Sequence, residues 1–262
     1  MYLIRRAFAV RFASLILLSG IGFWAGPVWA ALPEIIDQIR PSVVAIGTYQ
    51  KTRSPAFLMR GTGFAVGDGT LIATNAHVLP EVLDVAGNEQ LVIQIPLGKG
   101  AVQQRPAKTV EVDGSHDLAV LRMEGQALPA VALRRGGLVR EGQSIAFTGF
   151  PIGGVLGLSP VTHHGIVSAV TPIALPGAKA SQLSEKLIKR LKSGAFEVYQ
   201  LDGTAYPGNS GGPLFEADSG EVIGIINMVF VKGTKESVLS QPSGISFAVP
   251  IQYLQDLLRG AQ

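Results

Sequence analysis

The sequence predicts an all-β protein built as two packed six-stranded antiparallel barrels, with short terminal helices and one inserted helix. Three observations carry that expectation. Short apolar runs recur along the chain, separated by turn signals drawn from 32 glycines and 16 prolines. The runs fall into two series of about six, parted by a loop rich in proline, glycine and arginine at roughly 125–142. Helical periodicity is confined to three short segments. A single two-sheet sandwich stays open as the alternative, because strand runs alone do not fix how the sheets close.

The elements follow in order. "LPEIIDQIR" (32–40) spaces Ile35, Ile36 and Ile39 as one helix face, and Pro41 stops it. Strands are expected at "SVVAIGTY" (42–49), "GTGFAV" (61–66), "TLIATNAHVL" (70–79), "QLVIQI" (90–95), "KTVEVD" (108–113) and "DLAVLRM" (117–123). The second series is "QSIAFTGF" (143–150), "VTHHGIVSAV" (161–170), "FEVYQLD" (196–202), "GPLFEA" (212–217), "EVIGIINMVFV" (221–231) and "GISFAVP" (244–250). "SQLSEKLIKRLKS" (181–193) breaks this rhythm, with Leu183, Leu187 and Leu191 at helical spacing among basic residues, and reads as a surface helix docked by its leucines. A last helix, "PIQYLQDLLRG" (250–260), has Pro250 at its start, with Ile251, Leu254 and Leu258 on one face.

Residues 1–30 stand apart. Arg5, Arg6 and Arg11 precede an apolar stretch that Gly26-Pro27 breaks just before Ala30-Ala31. That layout is a secretory signal peptide with cleavage after Ala30; an uncleaved membrane anchor is the competing reading. Residues 31–135 and 136–262 are then the two barrel domains, and the expected location is exported, periplasmic or secreted. Without those three arginines the 22 basic residues fall to 19, matching the 19 acidic ones. The formal +3 charge therefore argues for no nucleic-acid partner. There is no cysteine, so the core must hold the fold without disulfides.

Chemistry concentrates in "YPGNSGGPL" (206–214), where glycines and prolines surround Ser210. A serine nucleophile needs a base, and the base needs a group to orient it. All four histidines, His77, His116, His163 and His164, precede Ser210. The esterase-type nucleophile elbow places its histidine after the serine and is excluded, while aspartate-before-histidine order would need alternating helices that the pattern lacks. His77 ends an apolar run, and Asp117 opens one, where a carboxylate is expensive unless paired. Taken singly, each is a core histidine and a strand-start cap; their joint order before Ser210 marks them out.

"GTGFAVGDGTLIATNAHVL", "HDLAVLRM", "VTHHGIVSAV", "QLDGTAYPGNSGGPLF" and "GISFAVP" resemble the successive motifs of Deg/HtrA-type serine proteases, double-barrel enzymes of the chymotrypsin superfamily. The resemblance covers most of 42–250. It implies His77 as general base and acid, Asp117 as its orienting partner and Ser210 as nucleophile, with the N–H groups of Gly208 and Ser210 as the oxyanion hole. It implies Thr204 at the floor of the primary specificity pocket, and Asn227, Met228, Val229 and Phe230 as its wall and as an edge for substrate pairing. An uncharged floor fits small or medium apolar residues before the scissile bond. Asn209 stands where digestive relatives carry an aspartate that pairs with a freshly cut N-terminus, so activation by that ion pair is not expected. The sequence stops twelve residues beyond Pro250. No PDZ domain is expected there, and the family's usual trimer is not carried over. Expected partners are polypeptide substrates, misfolded envelope proteins among them.

No cofactor is called for. His163-His164 as adjacent strand residues face opposite ways, which disfavours a metal pair. The glycines at 61, 63, 67 and 69 do not match a dinucleotide loop. A catalytically silent chaperone or binding module on the same fold is the rival to an exported serine endopeptidase.

Overall fold

A computed structural model describes residues 31–154, 157–172, 196–227 and 244–260. The first thirty residues, the helix expected over 181–193, and Met228, Val229 and Phe230 lie outside the described residues. Helix α1 (Leu32–Ile39) has proline in its first turn, where no N–H partner is lost, and Glu34 beside the positive end of the helix dipole. Its Ile35 and Ile39, one turn apart, are buried. A tight 3-10 turn at Arg40–Ser42 then feeds the first strand.

Six strands close the first barrel: β1 (Val43–Tyr49), β2 (Phe57–Val66), β3 (Leu71–Asn75), β4 (Gln90–Gly98), β5 (Ala101–Asp113) and β6 (Leu118–Met123). Their order around it is β1-β2-β3-β6-β5-β4, every neighbouring pair antiparallel, with β1 and β4 closing the ring. The second barrel holds β7 (Ser144–Gly149), β8 (Val161–Pro172), β9 (Glu197–Asp202), β10 (Pro213–Glu216), β11 (Val222–Asn227) and β12 (Ile245–Pro250). It repeats the same order, β7-β8-β9-β12-β11-β10, closed by β7 against β10. Helix α2 (Ile251–Gly260) follows β12 directly. Among the described residues no helix is long and apolar enough to cross a membrane.

Period-two alternation sorts the side chains into three cores. Val44 and Ile46 of β1 point into the first barrel with Ala65, Ile72, Ile93 and Leu121. Val43 and Ala45, which alternate with them in sequence, point the other way and pack with Phe64, Ala73, Val120, Ala146, Phe150, Phe215, Ile225 and Val249. That set draws on strands of both barrels, and it also receives Ile35 and Ile39 of α1 and Leu254 of α2. Ile145, Phe147, Val167, Tyr199, Leu214 and Ile226 fill the second barrel. Strands at the contact are buried on both faces, which is why they read as unbroken apolar runs. Closure leaves no sheet edge for the sandwich alternative.

The three largest departures from the expected strand boundaries are in β2, β5 and β3. β2 and β5 start at Phe57 and Ala101 rather than at 61 and 108, because their early residues alternate in exposure or face solvent and carry little apolar signal. β3 ends at Asn75 instead of running to Leu79, and Ala76–Val78 forms a 3-10 turn. β1 shifts register at Ile46/Gly47. A Cβ on Gly47 would lie 2.3 Å from the Leu58 carbonyl oxygen, so glycine alone tolerates that close approach.

Candidate active site

The 3-10 turn that cuts β3 short carries His77 out of the sheet with its side chain 27% exposed. Asp117 sits immediately before β6 at φ +58°, in the left-handed region that aspartate tolerates better than most residues. Its carbonyl oxygen accepts from the Ala76 N–H at 3.0 Å and the Asn75 side-chain amide at 3.1 Å, which locks the loop onto the end of β3. The carboxylate then meets His77 twice. Oδ1 accepts the His77 backbone N–H at 3.0 Å, and Oδ2 lies 2.6 Å from His77 Nδ1. A third donor arrives from the other barrel: Asn227 Nδ2 reaches Oδ2 at 2.8 Å. Asp117 is 5% exposed, so these donors replace the water that its charge has lost.

Proton placement follows from the partners. An ionised carboxylate only accepts, so Nδ1 carries the hydrogen, and in the neutral ring Nε2 is then the nitrogen with the lone pair. The pair therefore presents a base on the side of the ring turned away from Asp117.

Ser210 lies in the loop between β9 and β10 and is 5% exposed. Its carbonyl oxygen accepts the Thr62 N–H at 2.8 Å across the barrel boundary. A Cβ placed on Gly61 would lie 2.9 Å from that same oxygen and 2.6 Å from Val78 Cγ2. The serine backbone and the residue after His77 thus both pack against one glycine. Gly208 has φ +104° and Gly211 φ +86°, values that let the loop coil around Ser210. At Gly211 the need is also steric, since a Cβ would come within 2.1 Å of the Thr62 carbonyl oxygen.

Residues 61–225 match the family described as "Trypsin-like peptidase domain". The chain belongs to this family. Among curated relatives, "Serine protease HTRA2, mitochondrial" of Drosophila pseudoobscura pseudoobscura is 31% identical over 79% of the chain and 40% of its own length. "Probable periplasmic serine endoprotease DegP-like" of Halomonas elongata is 30% identical over 75% of the chain and 34% of its own. The HtrA type of trypsin-like peptidase is therefore the one it belongs to, although the chain spans about two fifths of the length of these relatives. Two solved structures share the fold. Deg5 superposes with a TM-score of 0.59 at 26% identity, over 86% of the chain and 90% of its own. The HtrA-type protease AlgW with a tripeptide gives 0.60 at 23%, over 88% and 63%. The double barrel is accordingly chymotrypsin-like.

Other expected site residues of this trypsin-like peptidase take varied places. Thr204 is half-buried in the loop before Ser210. Asn227, at the end of β11, is fully buried and points its amide at Asp117, a role that spacing along the chain did not signal. Asn209 is fully buried, and neither polar atom of its side chain has a hydrogen-bond partner among the described residues. His163 stacks on Phe147 with ring centres 4.9 Å apart, and burial pushes its imidazole below the ordinary value. His164, its neighbour on β8, is exposed and lies 3.0 Å from the Ser144 hydroxyl. Among the described residues no three histidine, cysteine or carboxylate side chains gather as metal ligands. His116 instead pairs with Asp113 at 2.5 Å and stacks on Tyr253 of α2 at 4.1 Å. Thr62 was not singled out from the sequence; its "GTGF" context reads as turn and strand, and its partners lie far along the chain.

Proposed function

We propose that this chain is an exported serine endopeptidase that cleaves polypeptides through an acyl-enzyme intermediate, with Ser210, His77 and Asp117 as its triad. The observation that carries the reading is the carboxylate-oriented imidazole of His77, with Nδ1 committed to Asp117 at 2.6 Å. Val78, the residue after His77, and the Ser210 carbonyl oxygen both lie against Gly61, so the segments that carry the imidazole and the serine meet at one glycine. In the reaction Nε2 of His77 takes the hydroxyl proton as Ser210 Oγ attacks the scissile carbonyl carbon. The resulting oxyanion is held by the N–H groups of Gly208 and Ser210, each donor of this type being worth about 3 kcal/mol of barrier lowering. The imidazolium passes its proton to the leaving amine. Water, deprotonated by the same nitrogen, then releases the acid and restores the serine.

Thr204 as an uncharged pocket floor suits small or medium apolar side chains before the cleaved bond, and Asn227, Met228, Val229 and Phe230 are assigned to substrate binding on the family resemblance. Asn209 supports activation without an N-terminal ion pair: a carboxylate there would be a buried charge lacking a partner in this arrangement. We assign residues 1–30 to a signal peptide, with 31–135 and 136–262 as the two barrel domains. The DegP-like relative, described as periplasmic, supports export. Misfolded polypeptides of the cell envelope are the substrates this reading assigns.

A serine-directed fluorophosphonate probe tests the reading. The native chain is expected to label and to hydrolyse an unfolded protein substrate, with both activities absent in Ser210→Ala. A native chain that neither labels nor cleaves, yet retains unfolded polypeptides, is instead the silent binding module.

A further inference from the structure

Three successive peptide planes set the direction of the two oxyanion-binding N–H groups. A trans peptide is flat, so fixing its carbonyl fixes where its N–H points. The Pro207–Gly208 plane is held by the Ile152 N–H, which donates to Pro207 O at 2.7 Å. The Asn209–Ser210 plane is held by the Gly212 N–H on Asn209 O at 2.9 Å. Between them, the Gly208–Asn209 plane is held at its N–H by Tyr206 O at 2.9 Å. At its carbonyl it is held by the Thr62 hydroxyl, which donates to Gly208 O at 2.6 Å.

Thr62 differs from the other clamps in two ways. It holds the loop with a side chain, and it belongs to β2 of the first barrel, 146 positions away from Gly208. It is also committed at every polar group. Its N–H donates to Ser210 O at 2.8 Å, its carbonyl accepts the Thr74 hydroxyl at 2.7 Å, and its own hydroxyl oxygen accepts the Phe150 N–H at 3.2 Å. The residue is fully buried, and its β-branched side chain has few rotamers to choose from on a strand. A stiff, saturated residue of one barrel thus grips the two carbonyls on either side of Asn209 in the other. His77 and Asp117 are carried by the first barrel and Ser210 by the second, so this grip also sets the register between them.

Resting on the proteolytic reading above, we infer that Thr62 is the positioning residue of the oxyanion loop. Its hydroxyl holds the Gly208–Asn209 peptide so that the Gly208 and Ser210 N–H groups converge on the reacting oxygen. Gly208, with no side chain and φ +104°, offers little resistance of its own to rotation of that plane.

Thr62→Val keeps shape and removes the hydroxyl; Thr62→Ser keeps the hydroxyl and removes a methyl group. Steady-state hydrolysis of a peptide substrate is measured for all three chains below their melting temperatures, with active sites counted by the fluorophosphonate probe. Misaligning donors without deleting them is expected to lower kcat per labelled site by about 10- to 100-fold in Thr62→Val, short of the ~100- to 1,000-fold seen when a donor is removed outright. KM is expected to stay within about 2-fold, since ground-state binding does not use the oxyanion hole. Thr62→Ser is expected to recover most of the loss. A Thr62→Val chain whose kcat per labelled site equals the native one overturns the inference, even if it melts earlier, because the residue then serves folding alone. A loss carried by KM overturns it equally. A native chain without turnover sinks the proteolytic reading and this inference with it, an outcome distinct from a native chain that turns over alongside an unimpaired valine variant.

Discussion

The Asp117 carboxylate gathers donors from both barrels. The His77 backbone and ring come from the turn after β3, and the Asn227 amide from β11. Asp117→Asn keeps the size but places an amide opposite Nδ1. An amide N–H facing Nδ1 favours the tautomer that puts the proton on Nε2, where the base is needed. The expected result is a fall in kcat of about 10,000-fold with KM nearly unchanged, read by steady-state kinetics on a peptide substrate. The fall is expected to shrink as pH rises if hydroxide takes over the role of the base. His77 and Asp117 were legible in the sequence because a polar residue at the edge of an apolar run stands out against its neighbours. Asn227 was named from the family resemblance as pocket wall, inside a run expected to reach 231; its bond to Asp117 was not legible, since the amide's target lies 110 positions earlier.

At the scale of elements, the two helices act as fasteners. Residues of both α1 and α2 enter the core shared by the barrels, with Ile35 at 1% exposure and Leu254 fully buried. Tyr253 beside Leu254 stacks on His116, the residue before Asp117, so α2 also braces the loop that carries the carboxylate. Leu254→Ala removes a buried side chain that nothing nearby is free to replace. Stability is expected to fall by about 2–5 kcal/mol, measured by urea unfolding. The helices were readable from isoleucine and leucine spacing, and Pro250 proved to be the last residue of β12 rather than part of the helix. The stop of β3 was only partly readable: "TLIATNAHVL" turns polar and small at Thr74-Asn75-Ala76-His77, and the strand ends at Asn75, where the next N–H, that of Ala76, donates to the Asp117 carbonyl oxygen.

For the whole molecule, folding is linked to pH through His163, half-buried in the wall of the second barrel. Burial lowers its proton affinity below the ordinary value of 6.5. Below that value the unfolded chain binds the proton more readily than the folded one. Stability therefore rises with pH in this range and is progressively lost as pH falls from 6.5 through the lowered folded value. His163→Gln is expected to flatten the dependence of Tm on pH between about pH 7 and about pH 5 relative to the native chain, as followed by circular dichroism. An unchanged slope would assign the acid sensitivity to other groups.

The amino-acid sequence by itself determined the strands, the helices at either end, and the order in which a histidine, an aspartate and a glycine-bound serine appear. Those are local properties: side-chain period, turn chemistry and residue type are all written within a few positions of one another. Tertiary structure alone decided that both series close into barrels of identical strand order, that Asn227 serves Asp117, and that Thr62 grips the loop around Ser210. Each of these joins residues more than a hundred positions apart or strands on opposite sides of a ring. Hydrogen bonds of that kind depend on where folding brings two segments together, and composition or periodicity in either segment carries no trace of its partner.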